Sequence, residues 1–505
     1  MTVQIFPAIG VVGAGTMGRG ILQLFAQAGF PVLAFDAAPG AAAAAVQAVT
    51  ATFDLLHGKG RLTRAARDRA VAGLAAADDL AALSPCAVVV EAVVEDLAVK
   101  RDLFRALEGV VADDTILATN TSSLTVAEIA AACTRPERVA GLHFFNPVPL
   151  MKVVEVIAAV RTGAAAVERL RALVAATGHR AVVAADQPGF LVNHAGRGLY
   201  TEGLRIVEEG VATPAAVDRI LREAAGFRMG PFELMDLTGL DVSGKVMTSI
   251  YDQFQQDPRY RPSSLVPPRV AAGLYGRKSG EGWYRYDGGT ARVPEPAPLP
   301  PLPGPVAVWI DPAAADHGAL AALVEAAGAR IAERAAAADL QLIQPWGGEA
   351  TAAALALGLD AARCVAVDPL PGLDRHRTLM LTAVTGAGAR DAAQALLGAD
   401  GTGVTVINDS PGFVSQRVLA AIVNIACAIA GRGIAAVADI EDAVKLGLGY
   451  PAGPLAWGDR IGAGRILDIL RGMQAATGDP RYRPSPWLVR RAALGLSLLT
   501  PEAAR

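Results

Sequence analysis

Residues 9 to 18 read Ile-Gly-Val-Val-Gly13-Ala-Gly15-Thr-Met-Gly18, an apolar run closed by glycines at the spacing G-x-G-x-x-G. A strand over Ile9–Val12 running straight into a helix over Gly18–Ala28 is a narrow choice of local fold. Gly13 permits the tight turn, Gly15 lets the backbone approach a pyrophosphate, and Gly18 lets the helix pack close to the sheet. Glycine-rich turns are common, so the context decides. A second strand, Val32–Phe35, leads into Asp36 at the distance expected of an acid that accepts hydrogen bonds from ribose hydroxyls. The same carboxylate repels a 2′-phosphate, so NAD is expected rather than NADP.

The pattern around this motif is an alternation of short apolar runs and helical stretches. Strands are expected at Ile9–Val12, Val32–Phe35, Val88–Glu91, Ile116–Thr119 and Val139–His143, with helices at Gly18–Ala28, Ala41–Leu56 and Val99–Val111. This predicts an α/β Rossmann-type domain over residues 1–185. From Asp186 the pattern is helical, giving an all-α domain over 186–287. Seven prolines in the twelve residues from Pro294 to Pro305 cannot form a helix or a central strand and make residues 288–305 a stiff linker. A second α/β stretch (306–407) and a second helical one (408–505) follow.

The two halves read as a tandem duplication. Asp186-Gln-Pro-Gly-Phe-Leu-Val-Asn193 recurs as Asp409-Ser-Pro-Gly-Phe-Val-Ser-Gln416, Gly230-Pro-Phe as Gly453-Pro-Leu, and Asp257-Pro-Arg-Tyr-Arg-Pro-Ser263 verbatim at Asp479–Ser485. The offsets are 223, 223 and 222 residues.

Composition narrows the function classes. The chain has 505 residues, 52% hydrophobic and 19% charged, with a formal net charge of -3, so no basic field marks a nucleic-acid binder. An apolar run at Val418–Ala430 is broken by Asn424 and reads as too short for a bilayer. A strand beginning at Ile9 leaves no room for a signal peptide. The cysteines (Cys86, Cys133, Cys364, Cys427) lack metal or disulfide spacing. A cytoplasmic enzyme is expected, with no metal and no membrane or nucleic-acid partner.

Of six histidines, His57, His179, His194, His317 and His376 have no obvious carboxylate company. His143 ends a strand, where open α/β sheets face their ligand crevice, and opens His-Phe-Phe-Asn146-Pro. Glu155 follows twelve residues later inside Val153-Val154-Glu155-Val156-Ile157, where a carboxylate is either buried with a partner or on an exposed face. Oxidation of an alcohol needs a base for the hydroxyl proton, and a histidine oriented by a buried carboxylate suits that work. Donors for the substrate oxygen are also needed. Asn120-Thr-Ser122-Ser lies at another strand end, and Asn193 opens a helix after Pro188-Gly-Phe. The same side chains also serve everywhere as caps and turn formers.

Taken together, Gly-Ala-Gly15-Thr-Met-Gly, Val-Val-Glu91-Ala-Val-Val-Glu95, Asn120-Thr-Ser-Ser, His143-Phe-Phe-Asn-Pro, Pro188-Gly-Phe-Leu-Val-Asn193, Gly230-Pro-Phe-Glu-Leu-Met-Asp236 and Gly276-Arg-Lys-Ser-Gly-Glu-Gly-Trp-Tyr284 make the first 286 residues resemble the short-chain L-3-hydroxyacyl-CoA dehydrogenases. The resemblance implies an acyl-coenzyme A substrate. It makes His143 the base paired with Glu155, with Ser122 and Asn193 on the substrate oxygen and Asn146 supporting the substrate or the nicotinamide. It puts Glu95, Lys100 and Asn120 on the cofactor side and Lys59 near the coenzyme A phosphates. His194 departs from the arginine the family often has there. Architecture and length resemble the two-unit members of bacterial aromatic degradation, including 3-hydroxyadipyl-CoA dehydrogenases of phenylacetate breakdown. A 3-hydroxybutyryl-CoA dehydrogenase of general metabolism and a non-catalytic, crystallin-like NAD binder are the alternatives.

The second α/β domain reads as degenerate. Its first strand runs into Asp311-Pro312 without a glycine fingerprint. The 223-residue register puts Ala366 at the base, Thr378 at its carboxylate, Pro345 at the serine and Gln416 at the asparagine. This half is expected to bind neither NAD nor substrate. Its helical part is expected to pair with the first inside one chain, as an intrachain pseudo-dimer, with further homo-oligomerisation open.

Overall fold

The structure is a computed structural model and describes residues 8–302 and 304–503. It divides into two compact units: residues 8–194 with 432–448, and residues 195–431 with 449–503.

The first unit is built on eight strands: β1 (Ile9–Val12), β2 (Val32–Phe35), β3 (Leu74–Ala76), β4 (Val88–Glu91), β5 (Ile116–Thr119), β6 (Val139–Phe144), β7 (Val153–Ala158) and β8 (Arg180–Ala185). Their order is β3-β2-β1-β4-β5-β6-β7-β8. Every neighbouring pair is parallel except β6 with β7, which pair antiparallel and set His143 opposite Glu155. The central strands β1, β4, β5 and β6 are buried along their whole length, which is why they read as unbroken apolar runs. Helix Thr16–Gln27 packs Ile21, Leu22 and Phe25 into the core formed by Ile9, Val11, Val90 and Phe144. The carboxyl ends of β1, β4 and β5 therefore open beside the amino end of this helix, where ligands bind in such sheets. The unit extends past the expected boundary at residue 185 and takes in helix Val437–Gly447 from the far end of the chain.

The second unit holds a hairpin, β9 (Arg285–Asp287) with β10 (Thr290–Arg292), and a six-stranded sheet. The sheet strands are β11 (Ala307–Ile310), β12 (Arg330–Ile331), β13 (Leu340–Ile343), β14 (Cys364–Val367), β15 (Arg377–Leu381) and β16 (Val404–Ile407), ordered β12-β11-β13-β14-β15-β16. Its one antiparallel pair is β14 with β15, next to a parallel β15–β16 pair, as at β6-β7-β8. The ladder sets Ala366 opposite Met380 rather than opposite Thr378, so the uniform 223-residue register fails locally.

Helices Arg197–Glu208 and Val414–Gly431 pack along one another at the centre of this unit. The second of these corrects an expectation. It runs unbroken for 18 residues, long and apolar enough to cross a membrane by composition, yet 89% of it is buried inside the protein. Asn424 does not interrupt it, because its amide donates to the Arg483 carbonyl (3.1 Å) and its oxygen accepts from the Ser485 amide (2.7 Å). On the same helix the buried Arg417 reaches Glu202 (2.7 Å) and Glu209 (2.8 Å), and also the Tyr482 hydroxyl (3.1 Å).

Candidate active site

The glycines after β1 are fixed by sterics. Gly13 has φ +107°, and a side-chain carbon there would sit 2.5 Å from the Ala92 carbonyl oxygen; one at Gly18 would sit 1.7 Å from that of Gly13. At Gly15 such an atom would meet nothing within 4 Å, so the space beside it is open to a ligand. Gly15 is the N-cap of helix Thr16–Gln27 with no side-chain cap, and the first turn carries no acid. Its free amides and positive dipole end suit an anion. The Asp36 carboxylate is held in place by the amides of Ala14 (2.7 Å) and Ala38 (2.8 Å). Turn, open helix end and fixed acid together fit the pyrophosphate and ribose of NAD.

A second layer of carboxylates organises the neighbouring strand ends. Glu91 is fully buried at the end of β4 and accepts from Lys100 (2.5 Å), the Thr119 hydroxyl (2.7 Å) and the Val93 amide (2.8 Å). Lys100 is itself only 1% exposed and also faces Glu95 at 3.4 Å. Its ammonium therefore lies between two carboxylates. Glu95 gathers the loop after β5: one oxygen accepts from the Thr121 hydroxyl (2.7 Å), the Ser122 amide (2.9 Å), and the Ser123 amide (3.0 Å) and hydroxyl (2.9 Å). Burial pushes the Glu95 carboxyl up, but the Thr121 hydroxyl, Lys100 and the Ser122 amide hold it below the usual range. The loop presents Ser122 exposed. Asn120 spends its side-chain oxygen on the Phe144 amide (2.8 Å), tying β5 to β6.

His143 and Glu155 meet across the antiparallel pair. His143 Nδ1 lies 2.5 Å from Glu155 Oε2, with the residues 5% and 0% exposed. The other carboxylate oxygen accepts from the amides of Leu191 (2.9 Å) and Val192 (2.8 Å). Three donors satisfy this buried carboxylate, as burial requires. An ionised Glu155 can only accept, so Nδ1 carries the proton and Nε2 offers a lone pair. Phe145 and Phe190 pack against the imidazole, with ring centroids 4.5 and 5.7 Å away. Phe190 holds φ +49° right after Gly189 at φ +72°, in the sharp turn that delivers the two amides. Asn193, half-buried, lies in the helix Val192–Ala195 that this turn opens. The arrangement can take a proton at Nε2 and hold the resulting imidazolium against Glu155.

Asn146 is exposed just beyond β6 and lines a groove of about 270 Å³ with Thr16, Arg19, Gln23 and Thr52. Lys59 caps helix Ala41–Gly58 and is exposed. The sequence motifs include Glu91 without giving it a role. The only signal was a carboxylate closing the apolar run Val88-Val-Val-Glu91. The backbone donors at 191 and 192 leave no signal at all.

In the second unit the expected positions are closed. Gln416 donates to Asp368 (3.0 Å) and to the Pro345 carbonyl (3.2 Å) and accepts from the Gly347 amide (2.7 Å). A side-chain carbon on Gly347 would sit 2.6 Å from the Ile469 backbone, so helix Ala463–Thr477 lies directly on this loop. Burial pushes the Asp368 carboxyl up to about 6. One expectation needs correction: His376 does have a carboxylate partner, Glu223, at 2.7 Å, with Thr405 on its other nitrogen at 2.7 Å. Burial holds its pKa below the usual histidine value. The partner lies 153 residues away in sequence, beyond the reach of local pattern.

Residues 8–187 match the 3-hydroxyacyl-CoA dehydrogenase NAD binding domain. Residues 189–286 and 412–498 both match the family's C-terminal domain. The chain is 37% identical over 486 residues to the 3-hydroxyadipyl-CoA dehydrogenase of Escherichia coli K12, covering 96% of this chain and 97% of that one. It is 39% identical over 280 residues to a 3-hydroxybutyryl-CoA dehydrogenase of Mycobacterium tuberculosis, covering 55% of this chain and 98% of the relative. A crystal structure titled 3-hydroxybutyryl-CoA dehydrogenase, from Escherichia coli K12, superposes with a TM-score of 0.84 at 36% identity, covering 97% of this chain and 98% of that one. The chain is an NAD-dependent enzyme and belongs to the 3-hydroxyacyl-CoA dehydrogenase family.

Proposed function

We propose that the enzyme oxidises the 3-hydroxyl of a dicarboxylic L-3-hydroxyacyl-CoA, 3-hydroxyadipyl-CoA, in phenylacetate or other aromatic breakdown. The observation that carries this reading is the relative of that name, matched through both halves of the chain. NAD, held by the Gly13–Gly18 turn and Asp36, would supply the acceptor for the hydride leaving C3. The hydroxyl proton passes to His143 Nε2 as the C3–O bond becomes a carbonyl, and the new charge on the ring is balanced by Glu155. Ser122, held by Glu95, and Asn193 donate to the substrate oxygen. Asn146 steadies the substrate, and Lys59 meets the coenzyme A phosphates. A short-chain substrate is the second reading, favoured by the full-length structural match titled for 3-hydroxybutyryl-CoA. The ratio of kcat/KM for 3-hydroxyadipyl-CoA over 3-hydroxybutyryl-CoA decides. A ratio above one supports the first reading, a ratio below one the second, and no turnover of either leaves a non-catalytic NAD binder.

The same reading takes the second half as a duplicated, degenerate copy whose helical part replaces a dimer partner. Its support is reciprocal. In the first unit the Ala185 amide donates to the Ile434 carbonyl (2.8 Å), and in the second the Asn408 amide donates to the Val211 carbonyl (3.0 Å). Ala185 and Asn408 are 223 residues apart, as are Val211 and Ile434. The aspartates after β8 and β16 also match. Asp186 accepts the Val126 and Ala127 amides, and Asp409 those of Ala350 and Thr351.

A further inference from the structure

Helix Val437–Gly447 belongs to the first unit although it comes from the far end of the chain. It is bound to the sheet edge at several points. Arg180 of β8 reaches Asp439 (2.7 Å) and Asp442 (2.8 Å), and Asp439 also accepts the Val183 amide (3.2 Å). The strand-like bridge Ala184–Ala435 lies at its entry, and Ile440, Ala443 and Val444 are buried.

Its last residue, Gly447, meets the catalytic support directly. A side-chain carbon there would stand 2.9 and 3.0 Å from the two methyls of Val192 and 3.3 Å from a methyl of Val153. Both valines are at most 1% exposed. Val192 supplies one of the two amides on Glu155, and Val153 lies two residues before Glu155 on the same face of β7. Glycine is not required here by backbone conformation. Gly433 and Gly449, flanking the helix, have φ of +65° and +67°, but Gly447 has no positive φ. An alanine would favour the helix by about 1 kcal/mol. The close approach to Val192 and Val153 is what the glycine provides.

We propose that helix Val437–Gly447 is a positioning element of the dehydrogenase site, with Gly447 as its contact residue. By bearing on Val192 and Val153 it fixes the 191–192 amides on Glu155 Oε1, and through Glu155 it fixes the imidazole of His143. The otherwise degenerate second half thus completes the active half. This rests on the dehydrogenase reading above.

The test compares wild type, Gly447→Ala and Gly447→Ala/Val192→Ala as full-length chains. A misplacement of the base by a fraction of an ångström predicts a kcat about tenfold lower in Gly447→Ala, with the NADH KM unchanged and the pH–rate profile displaced. The low-field ring N–H proton resonance of His143, assigned by its loss in His143→Ala, moves as well, and the double variant restores both. Wild-type kcat and an unmoved resonance in a folded Gly447→Ala overturn the proposal. If Gly447→Ala does not fold, Asp439→Asn/Asp442→Asn loosens the same helix without adding a heavy atom. A lowered kcat and shifted resonance support the proposal, and unchanged values overturn it. A wild type without turnover refutes the dehydrogenase reading instead, while the resonance still tests the contact.

Discussion

Replacing Glu155 with glutamine separates the chemical role of this carboxylate from its structural one. Glutamine can keep an oxygen on the Leu191 and Val192 amides, now 2.9 and 2.8 Å from Glu155. Its nitrogen then faces His143 Nδ1, where the carboxylate oxygen stood at 2.5 Å. Two donors cannot share that line, so the ring must move its proton to Nε2. The nitrogen aimed at the substrate then has no lone pair to accept a proton. The loss is that of a general base, about 10²- to 10⁴-fold, or roughly 2.7–5.5 kcal/mol of barrier. Glu155→Ala differs: it strands two buried amides at about 1–3 kcal/mol each. The assay is NAD reduction with L-3-hydroxybutyryl-CoA at saturating cofactor, the direction in which Nε2 must accept a proton, beside thermal melts of both variants. Glu155→Gln should lose kcat with a near-normal melting temperature and NAD KM, whereas Glu155→Ala should lose both rate and stability. A Glu155→Gln enzyme within about tenfold of wild-type kcat, below the range of a lost base, would refute the reasoning.

Asp36→Asn removes the charge facing the ribose while leaving an amide acceptor, so the NADPH-to-NADH ratio of kcat/KM should rise by about tenfold, roughly 1.4 kcal/mol; an unchanged ratio assigns Asp36 to turn geometry alone. Arg417→Met leaves Glu202 buried without its cation and should lower unfolding stability by about 3–5 kcal/mol, with Arg417→Met/Glu202→Leu recovering part of it; calorimetry reads both. Asp400 is held well below the usual carboxylate range by its paired hydrogen bonds to Arg377. Its contribution to stability is therefore complete above the ordinary aspartate value of 3.8 and is lost as pH falls through the lowered one. Asp400→Asn should lower the melting temperature at neutral pH and flatten its decline in acid, and parallel melting curves for the two proteins would count against this.

What the sequence made legible was local. β1, β2, β4 and β5 fall where the apolar runs put them, because buried central strands carry no polar interruption. The glycine turn and Asp36 needed only a strand, a turn and a helix in succession. The His143–Glu155 pairing was implied by the family resemblance alone and is made by the antiparallel return of β7, whose run of valines did not show its direction. The unread parts are long-range. Lys100, put on the cofactor side by resemblance, is buried between Glu91 and Glu95, which no local pattern showed. His376 finds Glu223 only through tertiary structure. Asn424 reads as a break in an apolar helix until the Arg483 and Ser485 backbones satisfy it.

The two sheets also show which carboxylates serve the fold and which serve chemistry. Asp186 and Asp409 make the same pair of amide bonds, one in each unit, and each ties a helix start to the segment after its last strand. Glu155 has no such counterpart: β15 presents Thr378 and Met380, yet still pairs antiparallel with β14. In that ladder the Ala366–Met380 pair carries no carboxylate, so one at the paired position is not needed to join the two strands. Burying an ionised group that the ladder does not require costs several kcal/mol of desolvation, offset here by three hydrogen bonds. The chain meets that cost opposite His143, in the unit with the open glycine turn, and places Met380 at the paired position in the unit where Gly347 and Ile469 close the loop. This pattern follows if Glu155 is retained for what it does to the His143 ring, and the glutamine substitution tests that role directly.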